Sequence, residues 1–239
     1  MRWIDEMSRF VELLQSRKMT MIVSLPHNEP ELAQAALEAG ADVLKMHINV
    51  VHHASGTHFG SLAEEGDGLK KILALAGGRG CPCGIVPGAA PVIREPEIRE
   101  LAALGFDFIS AYGHHLAPGV LGLSEVARMV ATDYTYSQSE MAALGELPVD
   151  VVEASVIPPD GYGLPLSVRD LLGYRKIVEW TGKPVVVPTQ REIQPEDIAA
   201  LAEVGVKAIM IGAVVTGETA GAVAGATRRF RRAVDALNC

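Results

Sequence analysis

The chain has 239 residues, with 29 acidic and 21 basic side chains, a net charge of -8, and 49% hydrophobic content of which little is aromatic. That balance argues against nucleic-acid binding, which calls for a basic footprint, and no apolar run reaches the roughly 18 residues needed to span a bilayer. The core must then be built mainly from Ala, Val, Leu and Ile, in a chain of the right length for one large domain, 1–239.

The N-terminal stretch "MRWIDEMSRFVELLQSRK" is charged throughout and lacks the apolar segment of a signal peptide, so a cytoplasmic location is expected. Residues 3–16 read as an extra helix. A strand follows at 21–25, with His27 just beyond it, and then a helix at 30–39. The next strand, 42–48, carries Lys45 and His47 in an otherwise apolar run. Alternation puts Val43, Lys45 and His47 on one side of it. The segment after it, from Asn49 to Gly66, shows no obvious secondary structure. It holds His52, His53 and His58, and Gly56 and Gly60 could hinge it as a lid.

A helix at 67–77 leads to Cys81 and Cys83, spaced as CPC rather than CxxC. With Cys239 terminal, they supply neither a disulfide framework nor four zinc ligands, and reduced thiols are expected. Strand 83–87, helix 95–104 and strand 106–111 come next, followed by His114 and His115. A short helix near 123–127 is expected before strand 128–133, which ends on Asp133. Helix 138–145 precedes strand 149–156, which contains Glu153. A Pro- and Gly-rich cover, "IPPDGYGLPLS", helix 167–181 and strand 184–189 follow. The chain ends with helix 195–204, strand 207–213 and helix 218–236. The basic run "TRRFRR" at 227–232 reads as a solvated face of that last helix.

Three segments repeat one another: "EPELAQAALEAGADVLKM", "EPEIRELAALGFDFISA" and "QPEDIAALAEVGVKAIMIG". Each places Pro-Glu in a first helical turn and a glycine at the helix end, then enters a strand. Eight strands alternating with helices imply a parallel sheet covered on both faces, and the size fits an α/β fold of the (β/α)8 TIM-barrel kind with an extra N-terminal helix. In such a barrel the loops after the strands form the active face. Every histidine falls at a strand end or in one of those loops.

Lys45, Asp133 and Glu153 are expected to form one polar cluster at that face, with His47 beside them; a carboxylate inside a strand is costly without a partner. The final loops, "VVVPTQREIQPEDI" and "AIMIGAVVTGETAGA", suggest an anion cradle from Thr189, Gln190, Arg191, Gly212, Ala213, Thr216 and Gly217.

Over most of its length, through "MIVSLP", "CGIVPG", "RMVATDYT", "VDVVEASVIPPDGYG" and "KPVVVPTQREIQPEDIAALAEVGVKAIMIGAVVTG", the sequence resembles the ribulose-phosphate-binding barrel superfamily. Within it, the likeness is greatest to the N-acetylmannosamine-6-phosphate 2-epimerase family. The resemblance implies a phosphate grip at Gly212 and Ala213, a basic substrate-binding residue at Lys45 and a carboxylate at Asp133. It departs where the family's catalytic lysine becomes Pro87, where its acidic residue is replaced around Thr189 and Gln190, and where a glutamine becomes Pro26.

The leading expectation is an isomerase, epimerase or lyase acting on a small phosphorylated, sugar-like substrate, with Lys45, Asp133, Glu153 and His47 as its catalytic residues. A second is a metal-dependent lyase or hydrolase using His27, His47, His114 and His115 around a divalent ion, since imidazole and carboxylate suit zinc, manganese or iron. A third is a phosphometabolite-binding barrel without catalysis, motivated by Pro87. No cofactor is firmly implied, and homo-oligomerisation is left open.

Overall fold

A computed structural model describes residues 8–52, 55–89 and 92–238. His53, Cys239 and the start of the expected leading helix, 3–7, lie outside the described residues. The chain opens with α1 (Arg9–Ser16), β1 (Thr20–Ser24), α2 (Pro30–Glu38) and β2 (Val43–His47). A hairpin of β3 (Val50–Val51) and β4 (His58–Phe59) precedes α3 (Leu62–Gly77), β5 (Cys83–Val86), α4 (Glu95–Leu104) and β6 (Phe108–Tyr112). Next come β7 (Ala127–Thr132), α5 (Gln138–Glu146), β8 (Val151–Ala154), α6 (Val168–Thr181) and β9 (Val185–Pro188). The chain closes with α7 (Ile198–Glu203), β10 (Ala208–Ile211), α8 (Ala213–Thr216) and α9 (Ala220–Asn238). Eight strands close a parallel barrel in the order β1-β10-β9-β8-β7-β6-β5-β2, the TIM-barrel topology. No helix among the described residues is long and apolar enough to cross a membrane.

The strands are buried on both faces, which is why they read as near-continuous apolar runs. Their outward residues meet the helices in one large core. Their inward residues, among them Ile22, Val43, Phe108, Met129, Val151 and Val186, form a second cluster together with Phe10, Val11 and Leu14 of α1. The leading helix therefore plugs the lower end of the barrel. Phe10 stacks on Phe108 with ring centroids 3.9 Å apart. Gly84 makes the room for that stack, since a Cβ there would sit 2.1 Å from the Phe108 ring.

The three-fold repeat also carries a device at its strand entries. Asp42 Oδ2 accepts the N–H of Met21, Asp107 Oδ2 that of Cys83, and Asp150 Oδ2 that of Arg128, at 2.7–2.9 Å. Each carboxylate ties the start of its strand to the neighbouring strand. Each also pairs with arginine: Asp42 with Arg17 and Arg231, Asp107 with Arg9, and Asp150 with Arg128. Lys207 holds the equivalent place in the third repeat. The helix-closing glycines behave as their spacing implies, with Gly105 at φ 106° and Gly205 at φ 95°, a left-handed conformation that a side chain would strain.

Two expectations are corrected. The segment 49–66 is not structureless: it folds into the β3–β4 hairpin and begins α3 at Leu62. Ser61 and Glu64 form a capping box there, with Ser61 N–H and Oγ each donating to Glu64 Oε2 at 2.7 Å. Gly68, inside this helix, lets it approach the Asn28 carbonyl, which a Cβ would meet at 2.6 Å. The short helix near 123–127 is replaced by two 3-10 turns, Gly113–His115 and Pro118–Gly122. Arg128 holds that connection by donating to the carbonyls of Leu121 and Leu123.

Removing the plug is expected to weaken the whole barrel. Phe10→Ala should lower stability by about 3–5 kcal/mol, the usual loss for a buried phenylalanine, in urea unfolding followed by circular dichroism. Leu172→Ala, at an exposed helix position, should change it by no more than about 0.5 kcal/mol. Equal midpoints for Phe10→Ala and wild type would show that α1 is not part of the cooperative core.

A candidate active site at the barrel mouth

A cavity of about 290 Å³ opens above the inward-facing layer of Ser24, Lys45, Ser110 and Glu153. Lys45 comes from β2 and Glu153 from β8, strands four steps apart in a ring of eight and so on opposite sides of the barrel. Their side chains meet across it, with Nζ 3.1 Å from Oε2, and both residues are only 5% exposed. Ser110 Oγ donates to the same Glu153 oxygen at 2.5 Å. The strand alternation that points Val43 and Val151 into the lower core points Lys45 and Glu153 at the mouth. The structure thus brings Lys45, Glu153 and His47 to one cavity.

His47 ends β2 and is buried. Its ring stacks on Phe59 of the hairpin at 4.8 Å and lies 4.7 Å from the ring of His52. Burial, then the neighbouring His52 and Lys45, push its pKa well below the usual imidazole value, so it is neutral at pH 7. Its Nδ1 has no hydrogen-bond partner among the described residues. The backbone under it is clamped. Asn28 Nδ2 donates to the His47 carbonyl at 2.6 Å and to Glu65 at 2.9 Å, and Glu65 in turn accepts the Gly60 N–H at 2.9 Å. Asn49, at φ 53°, turns the chain into the hairpin, its N–H bonded to the Gly60 carbonyl and its side chain to that of Pro87. Gly60, an expected hinge, is therefore held at the base of the hairpin.

Asp133 lies at the rim and does not join the cluster. Its Oδ1 accepts from the backbone and the hydroxyl of Thr135 at 2.8 and 2.6 Å, a local turn that competes with any contact into the cavity. The remaining imidazoles do not converge. His52 and His115 line the cavity with His47, whereas His27, His58 and His114 do not. Among the described residues no three of His, Cys, Asp or Glu come together to hold a metal ion. His27, His47, His114 and His115 thus do not form one ligand set.

At the expected anion end, Gly212 and Ala213 line the cavity with Thr189 and Gln190. Thr189 Oγ1 accepts the Gly212 N–H at 3.0 Å. Gln190 stitches two loops, donating to the Tyr162 hydroxyl at 2.6 Å and accepting from Ile157 N–H at 3.1 Å. Arg191 turns away to the Gly161 carbonyl and the Asp170 carboxylate. Thr216 is buried and donates to the Gly217 carbonyl. Neither Thr216 nor Gly217 lines the cavity. The amides of Ala213 and Val214 open α8 and have no acceptor within the helix.

Sequence reasoning passes over Ser110, Tyr112, Ser155 and Tyr162, all of which line the cavity. The first three are within reach of the alternation rule, which steps from Phe108 to Ser110 and Tyr112 and from Glu153 to Ser155. Burial pushes the Tyr112 phenol up to about 12, against the opposing effect of a hydrogen bond with Ser155.

No family model matches the chain, and neither does any curated protein. Solved structures do. Thiamine phosphate pyrophosphorylase from Pyrococcus furiosus is 20% identical, with a TM-score of 0.66 over 93% of this chain and 98% of that one. Tryptophan synthase from Mycobacterium tuberculosis is 15% identical, with a TM-score of 0.71 over 96% and 99%. KGPDC from Streptococcus mutans, solved in complex with a small phosphorylated ligand, is 15% identical, with a TM-score of 0.68 over 92% and 99%. At these identities what is shared is the barrel fold.

Proposed function

We propose that this chain is an enzyme that moves a proton next to a carbonyl in a small phosphorylated substrate, as an isomerase or a carbon–carbon lyase. The observation that carries this reading is the Lys45–Glu153 pair, two buried charges joined at the floor of a ligand-sized cavity. A buried pair of this kind adds no more stability than well-packed apolar side chains would. Beneath an open cavity it has a chemical use. The Glu153 carboxylate takes and returns the proton, and the Lys45 ammonium stabilises the negative charge that develops on the substrate oxygen. Ser110 holds the carboxylate in place.

The substrate's phosphate is assigned to the α8 end of the mouth, where the Ala213 and Val214 amides are unclaimed within the helix. The similar barrel solved with a phosphorylated ligand supports an anion at such a mouth. Pro87, at the place of the epimerase lysine, can neither take nor give a proton, so the chemistry is assigned to Glu153 rather than carried over from that family. His47, neutral and against Lys45, forms the wall beside the reacting atoms.

Solvent-deuterium uptake by a panel of phosphorylated ketones and aldehydes, aliphatic and aryl, read by NMR, tests this reading. Glu153→Gln should slow uptake by about 10²–10⁴-fold. Because it also leaves an ammonium buried without its partner, it should cost about 3–5 kcal/mol of stability. The double variant Lys45→Met/Glu153→Leu should recover that stability and stay inactive. Wild-type exchange in either variant would refute the assignment.

Neutral His47 also predicts a pH dependence. Its folded pKa lies below its unfolded value, so its contribution to stability is complete above about pH 6.5 and is lost as the pH falls from there towards the folded pKa. Urea midpoints of wild type between pH 7.5 and 5 should therefore fall more steeply than those of His47→Leu. Parallel curves would mean that the ring takes up a proton in place.

A further inference from the structure

A phosphorylated substrate leaves open what the phosphate is attached to, and the cavity wall bears on that. Building on the reading above for its anionic end, we infer that the part of the ligand inside the mouth is a flat, unsaturated ring with few hydroxyls, not a polyhydroxylated sugar chain.

Polar accounting is the first support. Each hydroxyl of a sugar brings one donor and two acceptor sites, and burying them unpaired is costly. The polar side chains that line the cavity are largely committed to one another. Lys45 and Ser110 both bond Glu153. Gln190 uses its N–H on Tyr162 and its oxygen on Ile157 N–H. Thr189 Oγ1 takes the Gly212 amide, and Tyr112 is hydrogen-bonded with Ser155. Between them the wall is apolar, with Val50, Val86, Ala111, Ala131, Pro188 and Met210 facing the space. Such a wall pairs poorly with a row of hydroxyls and well with an apolar face.

Ring geometry is the second. Flat side chains reach the cavity from three arcs of the rim: His47 and His52 after β2, Tyr112 and His115 after β6, and Tyr162 after β8. Tyr112 is already engaged face to face with His114, at 5.4 Å and 13° between planes, and His47 with Phe59. Offset-stacked and edge-to-face contacts with a ring ligand suit this arrangement. Volume is the third. About 290 Å³ is roughly twice an engineered cavity that holds benzene, room for one ring and its phosphate.

Calorimetric titration of the full chain with inorganic phosphate, phenyl phosphate, ribose 5-phosphate and benzyl alcohol tests the inference. Phenyl phosphate should bind at least about tenfold more tightly than inorganic phosphate, and ribose 5-phosphate no more tightly than inorganic phosphate. Tyr112→Leu should remove most of the phenyl phosphate advantage and leave inorganic phosphate unchanged. Ribose 5-phosphate binding as tightly as phenyl phosphate, or no binding by any of the four, would overturn the inference. If benzyl alcohol matches phenyl phosphate while inorganic phosphate fails to bind, the ring stands and the phosphate reading falls. An equal loss of both phosphate ligands in Tyr112→Leu would show that the tyrosine only supports the fold, and would remove the ring wall on which the inference rests.

Discussion

The ion pair between Lys45 and Glu153 joins opposite sides of the barrel, and the layout of the interior follows from it. Two charges cannot be withdrawn from water singly without a large penalty. Each therefore needs the other within contact distance, which holds the lysine stem and the glutamate extended across the barrel's inside. Above them the space stays open as a cavity; below them every inward position is apolar. A hydrophobic lower half open at its end would be wetted, and α1 closes it with Phe10, Val11 and Leu14. The upper half carries the candidate chemistry and the lower half the stability, a division common to barrels of this type. The same two-residue alternation serves both, because one strand supplies Val43 to the lower layer and Lys45 and His47 to the mouth.

Precision at the mouth depends on what lies behind it. His47 is fixed by a relay that runs from its own carbonyl to Asn28, then to Glu65 of α3, then to the Gly60 amide at the foot of the hairpin. Phe59 from that hairpin completes the packing on the ring. A side chain supported by hydrogen-bonded neighbours on regular elements holds its geometry more closely than one on a loose loop. On the opposite side Gln190 performs the same service, tying the loops after β8 and β9 through Ile157 and Tyr162. The strand entries are held just as firmly at the other end by Asp42, Asp107 and Asp150. The barrel is thus stapled below by carboxylate-to-amide bonds and above by carboxamide bridges.

What can be read from the sequence follows from what each feature costs. Strands buried on both faces must be apolar, so all eight stand out, and a lysine or glutamate inside such a run is conspicuous for the same reason. Lys45 and Glu153 are legible on those grounds. Ser110 and Ser155 are not, because a small hydroxyl is inexpensive in a strand and marks nothing by itself. The hairpin escapes because strands of two residues, Val50–Val51 and His58–Phe59, are too short for any period to show. Asp133 and Arg191 illustrate a different limit. A strand-end carboxylate and a loop arginine look alike whether they face a cavity or a neighbour. Thr135, two residues away, and Asp170, on a neighbouring helix, decide the matter. Such partnerships depend on rotamers and loop paths that no local pattern encodes.

The proline at position 87 shows how loosely chemistry is bound to position in this architecture. Eight strand ends converge on one small space, so an inward side chain in the top layer reaches the centre from any of them. Lys45 demonstrates the reach, since its stem carries the ammonium to a carboxylate rooted on the far side of the ring. A group missing from the end of β5 can be replaced from β8 without any change in the backbone. The Pro87 carbonyl has meanwhile become the anchor for Asn49 at the base of the hairpin. Position-by-position comparison with a related barrel therefore tests whether one arrangement of catalytic groups is present, and says little about whether the mouth is catalytic. For that, the informative quantity is which charged side chains meet at the floor of the cavity, and here they are Lys45 and Glu153.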